Sequence, residues 1–285
     1  MRLNLCFAAV FLLAFFPPIL SQAQSPRVDD RVSVAPTDWP WWRGTLRNGT
    51  AESNQEVMTV FGESENVRWK SDVPGRGYGS PTIVGNRVFL ATADETERSQ
   101  SLNCFDRSNG KLLWKTVVHP TGGMMKNNKS TLASSTPACD GERVFINFPN
   151  SDSLVASALD LDGKILWQTK ISDYVIHQGY GASPAIYQDL VIVSADNKGG
   201  GAIAGLKRSN GEIVWRRDRP RLPNYPTPTI LNVAGKDQVL MVGCNQVVSY
   251  DPLTGQTNWE TDGATEECVT STVTDGKLVF SSGGY

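Results

Sequence analysis

The chain has 285 residues, of which 40% are hydrophobic and 20% charged, and its formal net charge is −2. A chain of this length can bury a large core. The nearly balanced charge gives no electrostatic reason to expect binding to nucleic acid or to an anionic membrane. The 26 glycines and 16 prolines fit a turn-rich all-β protein.

The first 23 residues have the features of an export signal. Arg2 precedes an apolar run from Phe7 to Phe16, and Ser21-Gln-Ala23 resembles a small-x-small cleavage site. The run is short for a bilayer span, and no later stretch is apolar enough to cross a membrane. We therefore expect residues 1–23 to be a signal peptide and the mature protein to be periplasmic or secreted, with no membrane span.

Residues 24–66 are predicted to be a polar lead-in that carries a Trp-rich arm. Trp39, Trp41 and Trp42 fall within four residues. Such a cluster is compatible with stacking on a carbohydrate. The commoner use is packing, here of an N-terminal arm against the outside of the first sheets.

One short phrase recurs four times in the rest of the chain, with a glycine four residues before a tryptophan. The glycines are Gly110, Gly163, Gly211 and Gly255, and the matching tryptophans are Trp114, Trp167, Trp215 and Trp259. A Ser/Thr-Pro phrase lies upstream of each tryptophan, at Ser80-Pro81, Thr136-Pro137, Ser183-Pro184 and Thr227-Pro228. Several short strands in a period of roughly 45 residues are typical of a β-propeller.

Within the first repeat, four strands are predicted by apolar runs between short turn signals. They are Ile83-Val84, Arg87–Ala91, Leu102–Phe105 and Lys111–Trp114. Each repeat glycine is expected to supply a positive φ, and each tryptophan to fill the wedge between two radially packed sheets. Residues 67–285 are therefore predicted to form an all-β propeller with four-stranded blades, of which about four and a half are present.

The sequence around Trp69 resembles the last strand of a repeat with no repeat before it. Propeller rings are commonly closed by a blade that takes strands from both chain ends, which removes exposed sheet edges. We expect Val67–Lys70 to be the outer strand of such a closing blade. Because its partner strands are missing, we expect an incomplete ring of 7 or 8 blades, truncated at the C-terminus.

Four cysteines remain after the signal peptide: Cys104, Cys139, Cys244 and Cys268. An oxidising compartment permits disulfides. The four residues lie at different points of different repeats, and none forms a C-x-x-C pair. Burial as small apolar residues is the commoner outcome, and the sequence does not choose among the three possible pairings.

The loops that enter the innermost strands carry aromatic residues. Tyr78, Tyr180 and Tyr225 each lie three or four residues before the repeat proline. In a propeller these loops meet around one mouth of the central channel. With Arg76, His177 and Gln178, the tyrosines are predicted to form a rim that binds a ligand or an extended peptide. The alternative is that each tyrosine packs on the neighbouring blade.

The Asp-x-x-x-Gly-Lys-x-x-Trp phrase at 106–114 and its later copies resemble the PQQ-like propeller repeat family, over about residues 67–285. The opening Trp-Pro-x-x-Arg-Gly at 39–44 resembles the start of exported bacterial proteins of this class. The resemblance implies one of two functions. One is a periplasmic dehydrogenase that oxidises alcohols or sugars with pyrroloquinoline quinone (PQQ) and calcium. The other is a non-enzymatic scaffold, such as the propeller subunit of the outer-membrane protein assembly machine.

The chain lacks the features that the dehydrogenase resemblance calls for. No adjacent cysteine pair occurs, and the acidic pairs Asp94-Glu95, Asp160/Asp162 and Glu266-Glu267 are expected in exposed turns. Only two histidines are present. We therefore expect a non-catalytic scaffold that binds other exported or outer-membrane proteins and needs no cofactor. A PQQ- and calcium-dependent dehydrogenase is the first alternative, and a carbohydrate-binding surface protein is the second.

Overall fold

A computed structural model describes residues 32–51, 58–125 and 129–284. The predicted signal peptide lies outside these residues. All regular elements in the described residues are β-strands. Within those ranges we find no helix long and apolar enough to cross a membrane.

Four antiparallel four-stranded sheets follow one another along the chain, and a two-stranded sheet follows them. Blade 1 consists of β1 (Thr82–Val84), β2 (Arg87–Asp94), β3 (Ser99–Asp106) and β4 (Leu112–His119). Blade 2 consists of β5 (Ala138–Cys139), β6 (Arg143–Asn150), β7 (Ser153–Asp160) and β8 (Ile165–Asp173). Blade 3 consists of β9 (Ala185–Tyr187), β10 (Leu190–Ser194), β11 (Gly201–Lys207) and β12 (Ile213–Arg219). Blade 4 consists of β13 (Thr229–Val233), β14 (Lys236–Gly243), β15 (Gln246–Tyr250) and β16 (Thr257–Asp262), and the fifth sheet pairs β17 (Val273–Thr274) with β18 (Val279–Phe280).

The sheets pack face to face, with a hydrophobic core between each consecutive pair. Phe89 of blade 1 and Ile146 of blade 2 share one core, and Ile192 of blade 3 and Val239 of blade 4 share another. A middle strand such as β10 is buried at every position. Because both faces of a middle strand meet a neighbouring blade, its sequence is an apolar run and does not alternate. The predicted propeller of four-stranded blades is confirmed.

The repeat tryptophans lock each blade onto the next. The indole Nε1 donates to a backbone carbonyl in the glycine turn of the following blade, at 2.8 to 3.0 Å. The four pairs are Trp69 with the Gly110 turn, Trp114 with Gly163, Trp167 with Gly211 and Trp215 with Gly255. These glycines have φ values of 75°, 88°, 74° and 66° in chain order, as predicted. A Cβ at any of them would lie within 3.0 Å of the tryptophan ring.

Trp259 packs beside Val279 of β18, but its hydrogen bond differs from those of the other repeat tryptophans, and the strand predicted around Trp69 is wrong. Trp259 donates to Oε1 of Gln238 in its own sheet at 2.8 Å, because the described residues contain no fifth glycine turn to receive it. Trp69 does make the wedge contact, but residues 67–70 do not form the predicted strand. A strand is held by its ladder, and no described strand lies beside this segment to pair with it.

The Trp-rich arm lies along the inner edges of the blades, and the predicted packing against their outside is wrong. Trp39 and Ile83 of β1 exchange backbone hydrogen bonds of 2.8 and 2.9 Å. Cys139 of β5 donates its N–H to the arm, and Arg47 donates to the carbonyl of Ile186 in β9. Innermost strands present unpaired backbone groups, and the arm satisfies part of them.

The arm does not offer three indoles to a carbohydrate. Trp41 is only 4% exposed and belongs to the core between blades 2 and 3, while Trp42 is 38% exposed. The Arg47 guanidinium lies over the Trp41 ring, 4.5 Å from its centroid. The carbohydrate-binding alternative depended on an exposed cluster of tryptophans, and Trp41 is not available for such a cluster.

Candidate functional site

The loops that enter the innermost strands are joined to one another at one mouth of the channel. The Ser80 N–H donates to Thr136 Oγ1 at 2.9 Å, and the Thr136 N–H donates to Ser183 Oγ at 3.0 Å. The Ser183 N–H in turn donates to Thr227 Oγ1 at 2.9 Å. The Ser/Thr-Pro phrase thus fixes each loop against the next, because the hydroxyl of one repeat receives the amide of the repeat before it.

A cavity of about 240 Å³, here called the mouth cavity, lies among these loops. Its walls come from five successive loops, the one before β1 and the four that connect consecutive sheets. They include Tyr78, Lys129, Ser130, Ser134, Gln178, Tyr180, Tyr225 and Val269. Four of the six residues predicted for the rim, the three tyrosines and Gln178, therefore border one cavity. The other two, Arg76 and His177, hydrogen-bond to residues in its wall.

Tyr78 is the exposed aromatic residue of this group, with 53% of its surface open to solvent. Arg76 lies over its ring at 5.2 Å and donates to its hydroxyl at 2.6 Å. This hydrogen bond and the nearby Glu95 carboxylate raise the pKa of the Arg76 guanidinium. The guanidinium holds the Tyr78 ring in place, which lowers the entropy cost of using the ring as a contact surface.

His177, Tyr225 and Glu267 form a closed polar triangle across three loops. His177 Nδ1 lies 3.2 Å from Tyr225 Oη and 3.1 Å from Glu267 Oε1. The Tyr225 hydroxyl donates to Glu267 Oε2 at 3.1 Å. The Glu267 side chain is only 13% exposed, so the expectation that it lies in an exposed turn is wrong. The hydrogen bond from Tyr225 helps to offset the cost of removing the carboxylate from water.

Tyr180 is a core residue, although it borders the mouth cavity. It is 4% exposed, and its hydroxyl donates to the carbonyl of Ser194 at 2.9 Å. Its ring meets Tyr174 edge-on with centroids 5.7 Å apart, and burial raises the pKa of both phenols. For this residue the packing alternative describes the structure.

Sequence reasoning missed several wall residues. Ser130 and Ser134 lie in the long connection between β4 and β5, which carries no aromatic residue at the repeat position. Val269 precedes the fifth sheet and is 63% exposed. Only its place four residues before β17 would have indicated that it belongs to the same ring of loops. The missed residues make the wall more apolar and hydroxyl-rich than the predicted rim.

The described residues contain no group of three or more His, Cys, Asp or Glu side chains placed to hold a metal ion. The four cysteines are buried and unpaired. Burial raises the pKa of Cys104 to about 11 and that of Cys139 to about 12, so these thiols are protonated at neutral pH.

Comparison with known families gives a match that covers most of the chain. Residues 49–173 and 98–285 match the family described as outer membrane protein assembly factor BamB, whose model is a PQQ-like repeat. The two matched ranges overlap, as expected for a repeat that can be aligned in more than one register.

Individual relatives fall into both functional groups. A polyvinylalcohol dehydrogenase from Pseudomonas sp. is 25% identical over 218 residues, which is 70% of this chain and 32% of that protein. BamB from Moraxella catarrhalis superposes with a TM-score of 0.52 at 17% identity, over 74% of this chain and 60% of that one. Quinohemoprotein alcohol dehydrogenase from Comamonas testosteroni superposes with a TM-score of 0.55 at 14% identity, over 85% of this chain and 45% of that one. The chain spans about a third of the length of the curated dehydrogenase, and the two structural similarities show the fold alone.

Proposed function

The chain belongs to the PQQ-like repeat family of the outer membrane protein assembly factor BamB, and from this premise we propose that it is a non-catalytic propeller that binds other exported or outer-membrane proteins. The signal features of residues 1–23 support export to the periplasm or beyond.

The mouth cavity is the observation that carries this proposal. Five successive loops converge on one aromatic and hydroxyl-rich recess, and Tyr78 stands exposed at its edge. A rigid aromatic anchor beside a recess is the usual centre of a protein-binding surface. The recess itself holds about one large side chain, and the loops around it offer polar groups to an extended backbone.

A peptide-binding measurement tests this role. Fluorescent peptides that copy membrane-spanning strands of an outer-membrane protein are titrated with the full chain, and their anisotropy is followed. Tyr78→Ala should weaken binding about 5- to 30-fold, because loss of an interface anchor costs about 1–2 kcal/mol.

Phe61→Ala is the matched control, since Phe61 is 71% exposed and does not line the mouth cavity. This variant should bind as the unaltered chain does. Equal losses in the two variants, or no binding by the unaltered chain, would count against the proposal.

The similarity to a polyvinylalcohol dehydrogenase favours a second candidate, a PQQ- and calcium-dependent dehydrogenase. The test is to add PQQ and Ca²⁺ to the full chain and to follow reduction of an electron-accepting dye with polyvinyl alcohol, simple alcohols and sugars. On the first proposal no dye is reduced above the level without protein. Turnover that depends on both additives would replace the scaffold proposal by the enzyme.

A further inference from the structure

A second, smaller recess lies at the inner edge of blades 3 and 4, where the Trp-rich arm crosses them. Its walls include Trp41, Arg43 and Arg47 of the arm and Ala185, Thr227 and Thr229 of the blades. None of its lining residues borders the mouth cavity. Its inner volume is about 10 Å³, room for one oxygen atom or one water. We call it the arm pocket.

The arm pocket is lined by a buried hydrogen-bond donor that lacks an acceptor among the described residues. Trp41 is 4% exposed, and its indole Nε1 is buried without a hydrogen-bond partner among the described residues. A buried N–H without an acceptor is costly because it has lost its hydrogen bond to water, so native proteins rarely leave one unsatisfied. The Thr227 hydroxyl accepts the Ser183 N–H, and a hydroxyl that accepts can donate its own proton as well.

Arg47 adds a positive charge to the same pocket. Its guanidinium donates to the Ile186 carbonyl and covers the Trp41 ring, and it forms no ion pair with a carboxylate in the described ranges. Burial lowers the pKa of this guanidinium to about 10, but the group remains charged at neutral pH. A guanidinium has five N–H donors in a planar fork that matches a carboxylate. Arg43 adds a second guanidinium to the lining.

We propose that the arm pocket binds a carboxylate, supplied by a small organic acid or by an acidic side chain of a bound protein. One carboxylate oxygen fills the recess, where it accepts from Trp41 Nε1 and the Thr227 hydroxyl. The second oxygen lies toward the opening and pairs with the guanidinium of Arg47. Such a ligand accepts a hydrogen bond from the unpaired Trp41 indole N–H and also neutralises the partly buried Arg47 guanidinium, which a neutral ligand cannot do.

Thermal unfolding of the full chain in sodium formate tests the proposal, with formate replacing chloride at constant ionic strength. The expected result is a saturable rise in Tm of about 2–4 °C. Arg47→Gln should abolish the rise. Arg68→Gln, which removes an exposed arginine outside the pocket, should leave it unchanged.

Trp41→Phe keeps an aromatic ring and removes only the indole N–H. It should raise the formate concentration at half-saturation about fivefold, as expected for the loss of one hydrogen bond. A short peptide with a single glutamate distinguishes the two sources of the carboxylate. If it binds with the same dependence on Arg47, a protein side chain fits; if only formate does, the ligand is a small acid.

Two results would overturn the proposal: no saturable rise in the unaltered chain, or a full rise in Arg47→Gln. Glu52 and Glu56 follow the arm closely in sequence and lie outside the described residues. If formate acts only on the double variant E52Q/E56Q, the pocket is filled by a carboxylate of the chain itself, and the proposed ligand site is rejected.

Discussion

Gly211 shows at the scale of one residue why the repeat phrase requires glycine. Its φ is 74°, a conformation that an L side chain adopts only with strain. A Cβ there would also lie 2.6 Å from the ring of Trp167, which belongs to the blade before it. The glycine therefore meets two demands, one from its own turn and one from the neighbouring blade.

Comparing two glycine-to-alanine substitutions separates these demands. Gly235 has a φ of 80°, and a Cβ there would meet nothing within 4 Å. Gly235→Ala should lower the free energy of unfolding by about 1–2 kcal/mol through backbone strain alone. Gly211→Ala should lower it by a further 1–3 kcal/mol or so, because the Trp167 ring must shift. Urea denaturation of both variants measures these free energies. Equal decreases in the two variants would contradict a close contact between Gly211 and the Trp167 ring.

The sequence predicted the positive φ of the repeat glycine, but it did not predict the contact with the tryptophan of the preceding blade. A glycine between an Asx-type turn and a strand indicates a positive φ from local chemistry alone. Which tryptophan touches it depends on how one blade sits on the next, and no local pattern encodes that. For the same reason the sequence did not predict the hydrogen bond of Trp259. This residue matches the repeat phrase, but its indole donates to a residue of its own sheet.

At the scale of elements, the inter-blade loops look alike in sequence and differ in burial. Tyr78 and Tyr180 occupy corresponding places, but Tyr78 is 53% exposed and Tyr180 is 4% exposed. The loop before β9 folds over Tyr174, which gives the Tyr180 ring a partner inside the core. The convergence of the loops on one mouth could be predicted from the repeat, but the exposure of each tyrosine could not.

This difference predicts opposite phenotypes for two matched variants. Tyr180→Ala should lower the free energy of unfolding by about 3–5 kcal/mol, as expected for removal of a buried aromatic ring. Tyr78→Ala should change it by no more than about 0.5 kcal/mol, as for most surface substitutions. Urea denaturation again provides the comparison. If Tyr78→Ala proves the more destabilising, Tyr78 is a packing residue, and its proposed role as the aromatic contact for a bound protein is contradicted.

The arm is the element for which sequence reasoning was least successful. Three tryptophans in four residues indicated packing or stacking, and packing was the correct choice for Trp41. The arm nevertheless lies along the innermost strands, where its backbone bonds to β1 and β5. A sequence shows that an edge needs a partner, but it does not show which segment supplies one.

At the scale of the whole molecule, two faces of the propeller differ in what they offer. One face carries the mouth cavity and the hydrogen bonds by which the Ser/Thr hydroxyl of one loop accepts from the backbone N–H of the loop before it. The opposite face carries the glycine turns, where Leu253 is 44% exposed among charged residues such as Lys207 and Asp189. The fold and its period were predictable because a repeated hydrophobic pattern determines them. The proposed function depends on which face a partner meets.

Site-specific photo-crosslinking in the periplasm compares the two faces directly. A photoreactive phenylalanine analogue replaces Tyr78 in one variant of the full chain and Leu253 in another, and adducts are identified by mass spectrometry. The account predicts adducts with exported or outer-membrane proteins from position 78 and none from position 253. Adducts from position 253 alone, or none from position 78, would contradict the assignment of the mouth as the binding face.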